Sequence, residues 1–471
     1  MITPAKLAAL DSAAKDQLVI AQAETIAPLR KQVEALTGQV EALTGQVEVL
    51  TKRVAELEAQ LNKPPKTPDN SSMPPSKGQK PSAPSAPKAK AKRHPGAHRA
   101  LHPNPTSTRP VLAMTCSCGA DVSGVSQFVC EEYDRIEIPQ IAPDVTRVQL
   151  YGGTCPCCAK RFKAAPPAGL EPGSPFGPNL RAFVIYLRSV QGLPLARLQT
   201  VLADLFGLAI SEGALVNIMS ASVKAFAAQT ELIKARLLAG TAIASDETGL
   251  RVGKANWWLW VFHHADSAVF VADKHRSKAV VETFLDGHRP DYWLSDRYSG
   301  QMGWAKREHQ VCLAHLIRDT QYAIDAGDAV FAPGLKGLLK RACAIGRRRD
   351  RLSDATLKSY EADLDRRLDR LMALLPIHEA GVKLQTMIRK TRHQLFVFVQ
   401  NRDLSATNNT SERSLRPCAI YRKITNGFRS AWAAAHYADV RSIVETARRR
   451  SIRAIDAIRL TLDQLPLPTG T

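Results

Sequence analysis

The 471-residue sequence has no run of about 18 apolar residues, so it predicts no helix that crosses a membrane. Its start, MITPAKLAALDSAAKDQ, lacks the apolar core of a secretory signal. Acidic residues are in short supply: 44 Asp and Glu stand against 64 Lys and Arg, a formal net charge of +20. An excess of that size points to a polyanionic partner, nucleic acid first, with the absent apolar spans arguing against a membrane. An even set of cysteines is also lacking. Nine, several of them clustered, suit metal binding in a reducing compartment better than a disulfide framework. These absences predict an intracellular, cytoplasmic protein. Hydrophobic residues make up 45% of the chain, enough for more than one core and several domains.

Residues 1–62 read as an N-terminal helix with a coiled coil. Ile26, Val33, Val40, Val47, Val54 and Leu61 recur in sevens, and Leu29, Leu36, Leu43, Leu50 and Leu57 follow three later. These are a and d positions, and Val at a with Leu at d favours a parallel two-stranded assembly, hence a homodimer. The alternative is a single amphipathic helix packed on its own protein, which normally shows a wider apolar stripe. Residues 63–110 are rich in Pro, Ser and Lys and almost free of large apolar side chains, so they read as an extended linker. Its basic end, Lys88, Lys90, Lys92 and Arg93, suits non-specific phosphate contacts, although a soluble tether explains it equally well.

Residues 111–165 read as a zinc-finger-like module. Cys155 and Cys158 in TCPCCAKRF form a C-x-x-C knuckle, and Cys116 with Cys118 in TCSCG is the second pair for a structural zinc ion. The first pair has one intervening residue instead of two, which leaves Cys130 or Cys157 as substitutes. Residues 175–235 read as helical and helix-turn-helix-like, with a turn at Gly207 and a second helix capped by Ser211. Two packed core helices give the same pattern.

From 241 the sequence changes character. TAIASDETGLRV, NWWLWVFHH and SAVFVADKH read as three strands, SKAVVETFLDGH as a helix and DYWLSDRYSG as a fourth strand. This β-β-β-α-β order is that of the RNase H-like fold, whose first and fourth strands lie side by side. Asp246 is expected to end the first and Asp296 the fourth, which brings two carboxylates together. Adjacent carboxylates repel unless a cation lies between them, and Mg²⁺ takes oxygen ligands of this kind while completing its shell with water and phosphate. Glu412, in TNNTSERSLRP, is the candidate third acid. Its bland reading is a capping box with Asn409 plus an ion pair with Arg416. Arg413, Arg416, Arg422, Lys423 and Arg429 nearby supply more positive charge than a helix start needs and suit DNA phosphates.

Taken together, the motifs NSSMPPS, LPLARL, SDETGLRV, SDRYSG, HQVCLAHLIRD and NNTSERSLRP resemble the transposases of the insertion sequence 66 family. The resemblance implies a DDE enzyme with an RNase H-like core, in which Asp246, Asp296 and Glu412 bind Mg²⁺ or Mn²⁺. It implies a multidomain α/β chain: a mixed sheet flanked by helices over 241–430, a helical insertion about 320–395, and a C-terminal helical region over 431–471. The coiled coil and the small cysteine-rich module precede these. It further implies binding of terminal inverted repeats and target DNA, metal-dependent cleavage, joining of 3′-hydroxyl ends, and the help of accessory proteins from the same element. Cys312 and His315 match a C-x-x-H motif without an assigned role. TCSCG departs from the usual two-residue spacing. A catalytically decayed DNA-binding regulator and another RNase H-fold nuclease are the alternatives.

Overall fold

The computed structural model describes residues 4–9, 11–61, 63–71 and 99–469. After a short helix α1 (Pro4–Ala8), α2 (Ser12–Leu61) runs for 50 residues. Its heptad side chains from Ile26 to Leu57 remain at least 44% exposed, so nothing among the described residues covers the seam. Thr37, Thr44 and Thr51 each return a hydroxyl hydrogen bond to the carbonyl four residues earlier, repeating the heptad on the polar side. Among the described residues, no helix is long and apolar enough to cross a membrane.

Residues 63–71 form a small loop built around Asn70, which is buried. Its side chain accepts from the Thr67 amide at 2.7 Å and donates to the Pro65 carbonyl at 3.0 Å. It also donates to Asp325 at 2.9 Å, which fastens the loop to the body of the protein. Farther on, β1 (Gly152–Thr154) and β2 (Arg161–Lys163) pair antiparallel, with Cys155 and Cys158 in the connecting turn.

The next helices are α3 (Pro178–Ile185), extended by a π turn over Tyr186–Val190, α4 (Leu195–Phe206) and α5 (Glu212–Leu238). Gly207 ends α4 at φ 64°, and the Ser211 hydroxyl accepts from the Ala214 amide to start α5, as the sequence predicts. The second helix is much longer than a groove-reading helix needs. Phe226, Ile233 and Leu237 on it are buried in one cluster with Ile243, Trp260 and Phe262 of the sheet, so α5 also serves as a core helix.

The sheet consists of β3 (Ala242–Val252), β4 (Ala255–His264), β5 (Ser267–Asp273), β6 (Tyr292–Ser295) and β7 (Glu308–Val311), in the order β5-β4-β3-β6-β7. The first three strands pair antiparallel, whereas β6 and β7 add in parallel on the far side of β3. The helix α6 (Lys278–Leu285) makes the crossover that a parallel neighbour requires. Successive side chains on β3 go to opposite faces: Ala242 and Ala244 into one core, Ile243 into the other. On the second face, Phe262 stacks on Phe284 with ring centroids 3.8 Å apart, which pins α6 to the sheet.

Both faces are covered by helices. On the first lie α7 (Leu313–Asp325), α8 (Ala332–Gly346), α9 (Asp354–Met372), α10 (Glu379–Thr391) and α11 (Val397–Gln400), around Phe331, Leu339 and Phe398. The chain then returns through α12 (Asn409–Thr425) to the middle of the sheet and ends with α13 (Ala431–Arg449) and α14 (Ala454–Leu462). A third cluster joins Leu415, Cys418 and Tyr421 of α12 to Leu250, Leu259 and Val261. Mixed α/β architecture, a five-stranded sheet and a long N-terminal helix are therefore the observed fold.

Candidate functional site

The register of β3 against β6 sets the positions of the two aspartates. Ala242, Ile243 and Ala244 pair in parallel with Tyr292, Trp293 and Leu294. Asp246 and Asp296 each stand two residues past the last of these pairs, at equivalent points on neighbouring strands. Asp246 does not end its strand as expected. It sits in the middle of β3, opposite Val261, because β3 continues as one arm of a hairpin with β4 after β6 has stopped. The candidate site lies where β3 runs on past its pairing with β6.

Glu412 arrives from α12. The anticipated capping box is absent: Asn408, not Asn409, is the N-cap residue, and no side chain caps the helix. Nor does Glu412 pair with Arg416. Its charged neighbours belong to α7, His315 at 3.8 Å and Arg318 at 3.7 Å. The three acids share one electrostatic neighbourhood. Burial, then the negative charges of Glu247 and Asp296 with a smaller push from Glu412, raise the Asp246 carboxyl well above its usual value. Burial lowers the His315 imidazole, while Asp296 and Glu412 pull it back up.

A fourth acid, Glu247, was not anticipated. Its carboxylate takes a salt bridge from Arg276 at 2.6 Å and a hydrogen bond from the Gln301 amide. The Arg276 guanidinium lies 4.2 Å from the Tyr298 ring centre and 4.9 Å from that of Trp258, so two aromatic faces hold the counter-ion still. Burial and Asp296 raise the Glu247 carboxyl, against the opposing pull of Arg276 and Gln301. Asp296 itself accepts a hydrogen bond from the Tyr298 amide at 2.9 Å.

Among the described residues, no three His, Cys, Asp or Glu side chains converge closely enough to hold a metal ion as they stand. The donor chemistry nevertheless suits a hard divalent cation, since Asp246, Asp296 and Glu412 offer partly buried carboxylate oxygens. Glu412 rests instead against the Arg318 guanidinium and the His315 imidazole of α7. The cysteines give a more divided picture. Cys116 and Cys118 lie in one turn and Cys155 and Cys158 in another, each turn closed by backbone bonds such as Cys116 N–H to Ala120 and Cys155 N–H to Lys160. Hydrogen bonds from Cys118 hold the Cys116 thiol below its usual value, and Cys158 and Cys157 do the same for Cys155. Each pair is local, and the two pairs are not brought to one point.

Of the expected DNA contacts, Lys88, Lys90, Lys92 and Arg93 lie outside the described residues. Arg413, Arg416, Lys423 and Arg429 are exposed on or just after α12. Arg422 is partly committed elsewhere, since its guanidinium bonds the Gly249 carbonyl of β3. The sequence signal for the surrounding polar groups was present but unused: SDET, SDRY and SER each set a serine directly before an acid. Ser245, Ser295 and Ser411 are fully buried, while the acids that follow are partly buried.

Fold and site together define an α/β protein with a carboxylate cluster at the interrupted edge of a mixed sheet, in a strongly basic chain. The family model described as Transposase IS66 family matches residues 173–436, more than half of the chain, and the protein belongs to that family. No curated protein matches the sequence. Family membership assigns a transposase function, that of an enzyme acting on DNA, and the matched region spans all three acids.

Proposed function

We propose that the protein is a DDE transposase with an RNase H-like core, in which Asp246, Asp296 and Glu412 form the catalytic carboxylate set. It binds the terminal inverted repeats of its element, hydrolyses a phosphodiester to free a 3′-hydroxyl, and directs that hydroxyl at target DNA. The observation that carries this reading is the β3–β6 register, which puts Asp246 and Asp296 at matching positions with Glu412 contributing to the same field. Mg²⁺ or Mn²⁺ held by these carboxylates supplies activation of the attacking oxygen and stabilisation of the leaving one. The chain's own part is to orient the acids and bind phosphate. Arg413, Arg416 and Lys423 on α12 address the backbone of DNA beside the acids, and the linker lysines extend that contact. Cys116, Cys118, Cys155 and Cys158 would hold a structural Zn²⁺ only with the two cysteine turns brought together, and the α2 seam pairs two subunits so that both element ends are processed together.

The test is an end-cleavage assay with purified full-length protein. Asp246→Ala, Asp296→Ala and Glu412→Ala abolish Mg²⁺-dependent cleavage while retaining affinity for end DNA. Cleavage by Glu412→Ala at the parental rate overturns the assignment.

A further inference from the structure

The residue that precedes the third acid's helix uses its polar atoms to connect the backbone segments that carry all three acids. Asn408 is 1% exposed. Its side-chain amide donates to the Ser245 carbonyl at 2.8 Å, one residue before Asp246. Its side-chain oxygen accepts from the Ser411 hydroxyl, one residue before Glu412. Its backbone amide donates to the Cys312 sulfur at 3.1 Å, and the Cys312 amide donates in turn to the Ser295 carbonyl at 2.9 Å, one residue before Asp296. Its own carbonyl accepts the Glu412 amide at 3.2 Å.

An asparagine at this position ordinarily caps its own helix, a local gain of about 1 kcal/mol. Here no side-chain cap is made, and the amide spans instead to β3. The hydroxyl of Ser411 spends its single proton on Asn408, so His263, 2.7 Å away, donates to Ser411 through Nε2. A neutral imidazole fits this environment, since burial holds His263 well below its usual value. Burial likewise pushes the Cys312 thiol up to about 11, which keeps the sulfur an uncharged acceptor. The buried hydrogen bonds through Asn408 thus join neutral groups, and the low-dielectric surroundings strengthen each of them.

We infer that Asn408, acting with Cys312, is the positioning residue that ties the peptide units preceding Asp246, Asp296 and Glu412 into one register. It touches none of the reacting atoms and works through the backbone on which the acids ride. This assigns Cys312, the first residue of the C-x-x-H motif, the task of linking the second acid's strand to the third acid's helix. The inference rests on the carboxylate reading above.

The experiment uses the full-length protein and a single-turnover cleavage assay on pre-bound end DNA, with Mn²⁺ varied. Asn408→Asp keeps size and the acceptor oxygen but turns the donor to Ser245 into a second acceptor. Misplacing an acid by about 1 Å lowers the cleavage rate on the order of a hundredfold. End affinity is expected to stay within about twofold of the parent, because the DNA-facing arginines are untouched. Half-saturating Mn²⁺ is expected to rise, and the defect to persist on cooling. Cys312→Ala is expected to share the defect and Cys312→Ser, which retains an acceptor, to recover part of it. Ser411→Ala, a smaller change, serves should Asn408→Asp fold poorly, with the same split between rate and affinity. Parental cleavage by Asn408→Asp or Ser411→Ala, or a loss that follows melting temperature and vanishes on cooling, overturns the inference. Asp246→Asn, run in parallel, separates the two claims: if it cleaves normally, the carboxylate reading fails, whereas an inactive Asp246→Asn beside a normal Asn408→Asp removes only the role of Asn408.

Discussion

Asn70 and Asp325, 255 positions apart in sequence, meet in a 2.9 Å hydrogen bond. The bond joins the loop over 63–71 to the last turn of α7, the helix whose first turns carry His315 and Arg318 against Glu412. Hydrogen bonds to a charged group contribute roughly 1.5–3 kcal/mol. Asn70→Asp sets a second carboxylate against Asp325 and is expected to release residues 63–71. Hydrogen exchange followed by mass spectrometry checks this through faster exchange in that segment alone. The reciprocal double variant, Asn70→Asp with Asp325→Asn, is expected to restore most of the protection.

The turn after α12 allows almost no variation. Gly427 has φ 91°, and a Cβ there would stand 2.3 Å from the Arg251 carbonyl oxygen. The same turn exchanges backbone bonds with the β3–β4 hairpin through Phe428 and Gly253. Gly427→Ala is expected to cost about 1–3 kcal/mol, read as a lower urea midpoint, because both the backbone conformation and the close approach exclude a side chain.

Asp439 on α13 supplies a pH signature away from the site. Burial lifts its carboxyl to about 6, with the negative charge of Glu231 adding to the rise and the neighbouring Thr230 opposing it. The folded state therefore holds a proton that the unfolded chain releases, so stability falls as pH climbs from near 4 to 6 and is level above. Asp439→Asn is expected to be more stable than the parent by on the order of 2 kcal/mol at pH 7.5, and equal to it near pH 4. Thermal melts at both pH values check the sign.

The seam of α2 predicts self-association. Leu36→Lys with Leu43→Lys places charge at two d positions, and sedimentation is expected to change from a dimer to a monomer while the melting of the sheet domain stays unchanged. A parental protein that sediments as a monomer at micromolar concentration removes the pairing model.

Strand order was legible in the sequence because β-branched and aromatic runs alternate with turn residues, and because a parallel fourth strand needs a helical crossover. Asp246 and Asp296 were singled out as candidates for the same reason. The position of Asp246 within its strand was not, since β3 outlasts its parallel partner and only the β4 hairpin carries it onward. The start of α12 fell one residue away from the predicted cap, as Asn408 and Asn409 are the same residue type and only the Ser245 carbonyl distinguishes them. Contacts such as Asn70 with Asp325, or Glu412 with His315, depend on tertiary distance and leave no periodic trace. Glu247 was visible but looked like a neighbour of Asp246, and its clamp of Arg276 between two rings is likewise a product of folding.

The uncovered seam on α2 also bears on how much protein is present. A surface satisfied by a second copy makes assembly follow mass action, and at low concentration doubling the protomers yields about four times the pairs. Under the proposed pairing, activity follows dose: stray copies remain single, and the pairs that the element needs form only as synthesis rises.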